Sequence, residues 1–151
     1  MTRTNIIVTL LSLFFSIVAR GQMMEPVHFA SELKMLGGDE AEIVFSGKID
    51  DGWHVYSTDL GSGGPTSASF QTVKMTGAEK VGGLKARGKE IRQFDKLFEM
   101  EVRYFEKQAT FVQRIRFTKP QYDIDCVLQI WTFSIASTSA QTSIVVAGLS
   151  G

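Results

Sequence analysis

A second cysteine, any charged residue beyond Asp125, and all but three prolines are missing from this sequence. With Cys126 alone, no internal disulfide can form, and any thiol chemistry must involve another molecule. Lys+Arg and Asp+Glu are balanced at 16 each, so no basic field exists to draw nucleic acid or an anionic membrane surface. No segment has ten or more residues with apolar positions at the 3.6 spacing of a core helix. His28 and His54 are the only histidines and stand at no metal-ligand spacing from each other or from Cys126, so no metal is implied. Met23, Met24, Met35, Met75 and Met100 carry the thioether that copper(I) prefers, but they are scattered and read as core or terminus residues. The glycines of residues 61–64 lack the Lys-Ser/Thr and the following helix of a phosphate cradle. The acidic pairs Asp39-Glu40 and Asp50-Asp51 fall in turns, where solvated capping explains them. No nucleophile, base and orienting group come together, and no cofactor is implied.

What is present begins with Arg3, an uncharged apolar run over residues 6–19, and the small residues around Ala19-Arg20-Gly21. This is the pattern of a signal peptide over residues 1–21, cleaved after Gly21, and it predicts a periplasmic protein with no membrane attachment after cleavage. The run is shorter than the roughly 20 residues a spanning helix needs, which argues against a retained anchor. No cysteine follows it, so lipid attachment is not indicated. Cleavage removes Arg3 and Arg20 and no acid, leaving 14 basic against 16 acidic residues.

The remaining chain, 44% hydrophobic overall with 11 Phe in the full sequence, has enough apolar content for one core. Val27, Phe29, Leu33 and Met35 alternate with polar residues, as do Ala41, Ile43, Phe45 and Ile49, with Gly37, Gly38 and Asp39 as the turn between. In the second of these strands Glu42, Ser46 and Lys48 are expected to face water. Asp50, Asp51 and Gly52 turn the chain into a third strand from Trp53, with Trp53 and Val55 on one face. A loop over 61–65 and a short strand over 68–73 follow, then exposed loops around a short strand over 76–89. Residues 100–105 and 110–118 read as a hairpin joined at 106–108. After Pro120, Tyr122, Ile124, Cys126 and Leu128 share one face of a last strand. About seven short strands with turns between them predict an all-β, immunoglobulin-like β-sandwich. On that face Cys126 is expected as a buried, inert small side chain, a mixed disulfide with a partner being the alternative. Residues 130–151, rich in Ser, Thr and Ala, form a charge-free tail, the expected seat of disorder or of pairing with another chain.

Three stretches together carry a family resemblance: Asp51, Gly52, Trp53, His54, Val55, Tyr56 and Ser57, followed by Gly63, Gly64, Pro65 and Thr66; residues 98–104; and residues 109–113. Over residues 27–129 the chain resembles the periplasmic N-terminal domain of DsbD-type thiol:disulfide interchange proteins, in forms seen in Bacteroidetes-like bacteria. The resemblance places the domain at residues 22–129. It implies electron relay from the thioredoxin-like domain of a membrane reductase to periplasmic disulfide isomerases or cytochrome c maturation factors. It also implies a cysteine pair near the C-terminus under a cap loop bearing an aromatic ring. The cap loop falls on residues 94–98, with Phe94, Asp95 and Phe98 as its candidate residues and Phe98 as the shielding ring. The departure lies beyond Gln129, where the pair should stand and no cysteine or proline is found. A protein-disulfide reductase role is therefore implied by family and contradicted by sulfur content, since a dithiol cycle needs two sulfurs. A partner-binding sandwich without redox chemistry is the alternative. The abrupt change at Ile130 motivates the hypothesis of a shifted reading frame or a degenerate terminus, which resequencing the locus would refute by finding the same tail in an intact frame.

Overall fold

A computed structural model describes residues 25–136 and 139–151. The expected signal segment with its cleavage point, and Met23 and Met24, lie outside the described residues. Among the described residues there are eleven strands: β1 (Val27–Gly37), β2 (Glu40–Ile49), β3 (Trp53–Tyr56), β4 (Ser69–Thr76), β5 (Ala78–Lys80), β6 (Lys85–Arg87), β7 (Ile91–Asp95), β8 (Met100–Phe105), β9 (Gln108–Phe117), β10 (Asp123–Ser134) and β11 (Ser139–Ser150). They form two sheets in which every pairing is antiparallel, the all-β sandwich the alternation predicts.

The first sheet runs β1-β2-β9-β5, with β6 also on β9; the second runs β11-β10-β3-β8-β7, with β4 also on β10. Period-two alternation explains the core between them. Ile43 and Phe45 from β2, Phe111 and Ile115 from β9, Phe105 from β8, and Ile124, Cys126, Leu128 and Ile130 from β10 are fully enclosed. Phe105 meets Phe111 across the sandwich edge to face, with ring centroids 6.0 Å apart. Enclosing each such ring stabilises the fold by about 1.5–3 kcal/mol.

Several expectations need correction. Glu42 does not face water: it is buried on the outer face of the first sheet, where the Arg87 guanidinium donates to both its oxygens at 2.8 and 3.1 Å. A long cation closing over β2 makes that burial tolerable. The stretch over 76–89 holds two short strands rather than one, since β5 and β6 both pair with the long β9. β7 has polar residues on both faces, so no alternation marks it, and it forms by pairing with β8. The last strand does not end near Leu128. Ile130, Thr132 and Ser134 continue its inward alternation, and β11 then pairs with β10 along its whole length. Ser143, Val145, Ala147 and Leu149 take the inward positions of β11, opposite Ile130, Leu128, Cys126 and Ile124. A strand needs alternation and a neighbour, and charge is dispensable for both.

Candidate functional site

The outer face of the second sheet would be polar if that sheet simply met water. Instead the outward positions of β3, β8 and β10 carry Tyr56, Val102, Tyr104, Trp131 and Phe133. With Leu60 these make a second apolar cluster, separated by the sheet from the main core, against which Ile91, Phe98 and Met100 also pack. Tyr56 lies 5.7 Å from Trp131 and 6.5 Å, edge to face, from Tyr104. Tyr104 is stacked on His54 at 4.0 Å and donates its hydroxyl to Gln93 at 2.8 Å. His54 in turn bonds Glu106 at 2.7 Å through Nε2. Burial first, then the nearby Asp95 charge, pushes the Tyr56 phenol above its ordinary pKa; burial and then Glu106 do the same for Tyr104. Both rings therefore remain neutral and work as apolar bodies with a polar tip.

A hairpin and a loop border this cluster. β7 and β8 are joined by a turn over 96–99, in which the Asp95 carboxylate accepts from the backbone N–H groups of Leu97 (2.8 Å) and Phe98 (3.2 Å). Glu99 closes the turn in the left-handed region at φ 54°. The result turns Phe98 onto the cluster and leaves Leu97 at the tip, 83% exposed. Register places Ile91, Gln93 and Asp95 on the face of Tyr104, Val102 and Met100, so Phe94 points to the opposite face and is 62% exposed. The stretch expected as a cap loop is thus the end of β7 and a tight turn. Of its two rings only Phe98 reaches the cluster. On the other border, a Cβ on Gly64 would stand 2.5 Å from the Met100 sulfur, so the glycine loop lies directly on β8. Ser57 donates to Glu90 at 2.6 Å, and Arg103 reaches Glu90 at 3.1 Å and the Asp59 carbonyl at 2.9 Å, tying the exit of β3 to β8.

Cys126 is absent from this face. It is fully enclosed in the main core, and burial, with a smaller contribution from the Asp125 charge, pushes its thiol up to about 11. At neutral pH it is neither a thiolate nor reachable. The segment beyond Gln129, where the resemblance puts the cysteine pair, does lie against the cluster that Phe98 joins, and it presents Trp131 and Phe133 there. Among the described residues no group of three or more His, Cys, Asp or Glu is placed to hold a metal. His28 sits apart, 3.1 Å from Asp50, with both side chains exposed. Sequence reasoning missed Tyr56, Tyr104, Trp131 and Phe133 as a group. Putting Trp53 and Val55 inward already obliged Tyr56 to face the other way, and that was the available signal.

No protein-family model matches the sequence, and no curated protein matches it. Among solved structures, the N-terminal periplasmic domain of ScsB from Proteus mirabilis is similar with a TM-score of 0.58 at 13% identity, over 83% of this chain and 47% of that one. The present chain thus spans about half the length of that relative. The reduced N-terminal domain of DsbD from Neisseria meningitidis is similar with a TM-score of 0.48 at 15% identity, over 82% of this chain and 85% of that one. The same domain in complex with the N-terminal domain of PilB, also from Neisseria meningitidis, gives 0.38 at 16% identity, covering 80% of each chain. The chain shares the fold of the ScsB domain, a β-sandwich as the resemblance implies.

Proposed function

We propose that this chain is a periplasmic redox-partner domain that docks a thioredoxin-like protein, or the thioredoxin-like domain of a membrane reductase, and passes no electrons itself. Docking uses the rim of the aromatic cluster, where Trp131, Phe133 and Phe98 are half-buried, together with Leu97, exposed at the tip of the β7–β8 hairpin. The observation that carries this reading is the exchange of sulfur for aromatic rings. Where the resemblance calls for a cysteine pair the cluster holds Trp131 and Phe133, while Cys126 is enclosed on the far side of the sheet. Relay of two electrons through a dithiol needs a thiolate to attack, a mixed disulfide, and a second sulfur to resolve it. One enclosed thiol supplies none of these, whereas an aromatic face with a polar rim suits partner recognition.

Trapping tests this reading. A thioredoxin-like protein left with only its attacking cysteine and activated as a mixed disulfide with a small thiol should form no covalent adduct with this chain. It should still bind reversibly, and Phe98→Ser should weaken that binding about tenfold, the loss of one apolar anchor. An adduct through Cys126 would overturn redox silence. Reversible binding to neither a thioredoxin-like protein nor a reductase domain would favour the alternative, a sandwich module for a partner without thiol chemistry.

A further inference from the structure

One carboxylate ties together the elements that border the aromatic cluster. A strap over residues 57–68 joins β3 to β4, carries Leu60 into the cluster and lays Gly64 on Met100. The strap is closed on itself by two bonds, from the Leu60 amide to Ser67 Oγ at 2.9 Å and from the Ala68 amide to the Ser57 carbonyl at 3.0 Å. Two links fasten it to β8. One is main chain, from the Ser57 amide to the Arg103 carbonyl at 3.0 Å. The other is the Arg103 guanidinium, which donates to the Thr58 carbonyl and to the Asp59 carbonyl, the latter at 2.9 Å. Glu90, at the entry to β7, holds that guanidinium: its carboxylate accepts from Arg103 at 3.1 and 3.3 Å and from the Ser57 hydroxyl at 2.6 Å, with the exposed Arg92 standing 3.9 Å away. Asp59 lies in the left-handed region at φ 54°, a conformation that a residue other than glycine keeps where its surroundings impose it.

We infer that Glu90 is a positioning residue for docking: by holding Arg103 it keeps the strap shut on β8, and the partner is recognised with the strap shut. The inference rests on the docking reading given above. An arginine left alone has many rotamers. The charge-assisted bonds to Glu90, between side chains only 23% and 21% exposed, select the one that also reaches both strap carbonyls. Leu60 shows why docking needs the strap shut rather than lifted. It fills the cluster together with Tyr56, Val102 and Tyr104, all nearly enclosed. Lifting the strap wets these four side chains and loosens the half-buried rings of Phe98, Trp131 and Phe133 at the rim. A partner that meets the lifted state must order it again, so its apparent affinity falls in proportion to the shut fraction.

Binding is measured between the purified full chain and a thioredoxin-like protein whose two active-site cysteines are replaced by serine. E90A should raise the dissociation constant about tenfold, as a shut fraction reduced to about a tenth requires. E90Q, which keeps an acceptor but not the charge, should raise it by about threefold and serves alone where E90A does not fold. R103K, whose ammonium cannot fork to a carboxylate and two carbonyls, should match E90A, and the double variant should lose less than the two single variants added. E40A, which breaks ion pairs to Arg114 and Arg116 away from the cluster, controls for lost stability and should leave binding unchanged. Amide exchange gives a readout without the partner. In E90A the Leu60 and Ala68 amides should exchange at least about tenfold faster, while those of Leu97 and Phe98, held by Asp95, stay as they are. Tighter binding by E90A, an equal loss in E40A, or unchanged exchange at Leu60 and Ala68 would each overturn the inference. An unaltered chain that fails to bind overturns the docking reading and this inference with it, whereas binding retained in full by folded E90A and R103K overturns this inference alone.

Discussion

Cys126 shows how little a residue's identity says before its surroundings are known. One position of parity on β10 turns the thiol into the core rather than to the outer face. Its raised pKa has a stability consequence with a definite sign. The folded state keeps a proton that the unfolded chain, at 9.0, gives up, so the contribution is complete below pH 9 and is lost as pH rises toward about 11. Cys126→Ala should cost about 1–2 kcal/mol in urea unfolding at pH 7 through the cavity it leaves, and the difference from the unaltered protein should shrink at pH 10.5. Glu42 titrates in the opposite sense. The Arg87 hydrogen bonds, opposed by burial and helped by the guanidinium charge, hold its carboxyl below 4.5. That contribution is present above pH 4.5 and lost as pH falls through the lowered folded value. Arg87→Ala should destabilise by about 1–2 kcal/mol at pH 7, discounted for the exposure of Arg87, and by progressively less as pH falls through the lowered folded value and Glu42 takes up its proton.

Elements with strong alternation were legible from residues alone: Ala41, Ile43 and Phe45 fixed the inward face of β2, and Ile124, Cys126 and Leu128 that of β10. β7 was not, because Ile91, Arg92, Gln93, Phe94 and Asp95 offer no apolar face and become a strand only through β8. β11 was illegible for another reason. Ser, Thr and Ala differ too little in polarity to declare a face, so only its partner β10 orients it. The β7–β8 turn depends on a single side chain for its geometry. Asp95→Ala removes the one oxygen, Oδ1, that accepts from both the Leu97 and Phe98 amides and should cost about 1 kcal/mol. It should also loosen Phe98 from the cluster, seen as faster amide exchange over residues 96–99 with exchange in β9 unchanged.

Taken whole, the molecule is two sheets enclosing one core, with a second, smaller apolar cluster on an outer face that the chain itself covers except at its half-buried rim. That cluster was only partly legible beforehand. Phe98 was named from the resemblance, but Trp131 and Phe133 lie in the charge-free stretch, where sequence contrast vanishes. Among the described residues every buried side-chain polar atom has a partner. The proposed function rests on the rim of that cluster and on the missing sulfur.

The most direct test counts reactive thiols on the purified protein after equilibration in redox buffers from strongly oxidising to strongly reducing. The account predicts no reactive thiol per folded chain and one per unfolded chain at every poise, since Cys126 neither pairs nor opens. A native count that changes with the buffer, or a unit oxidised and reduced in step with a thioredoxin-like partner, would contradict it.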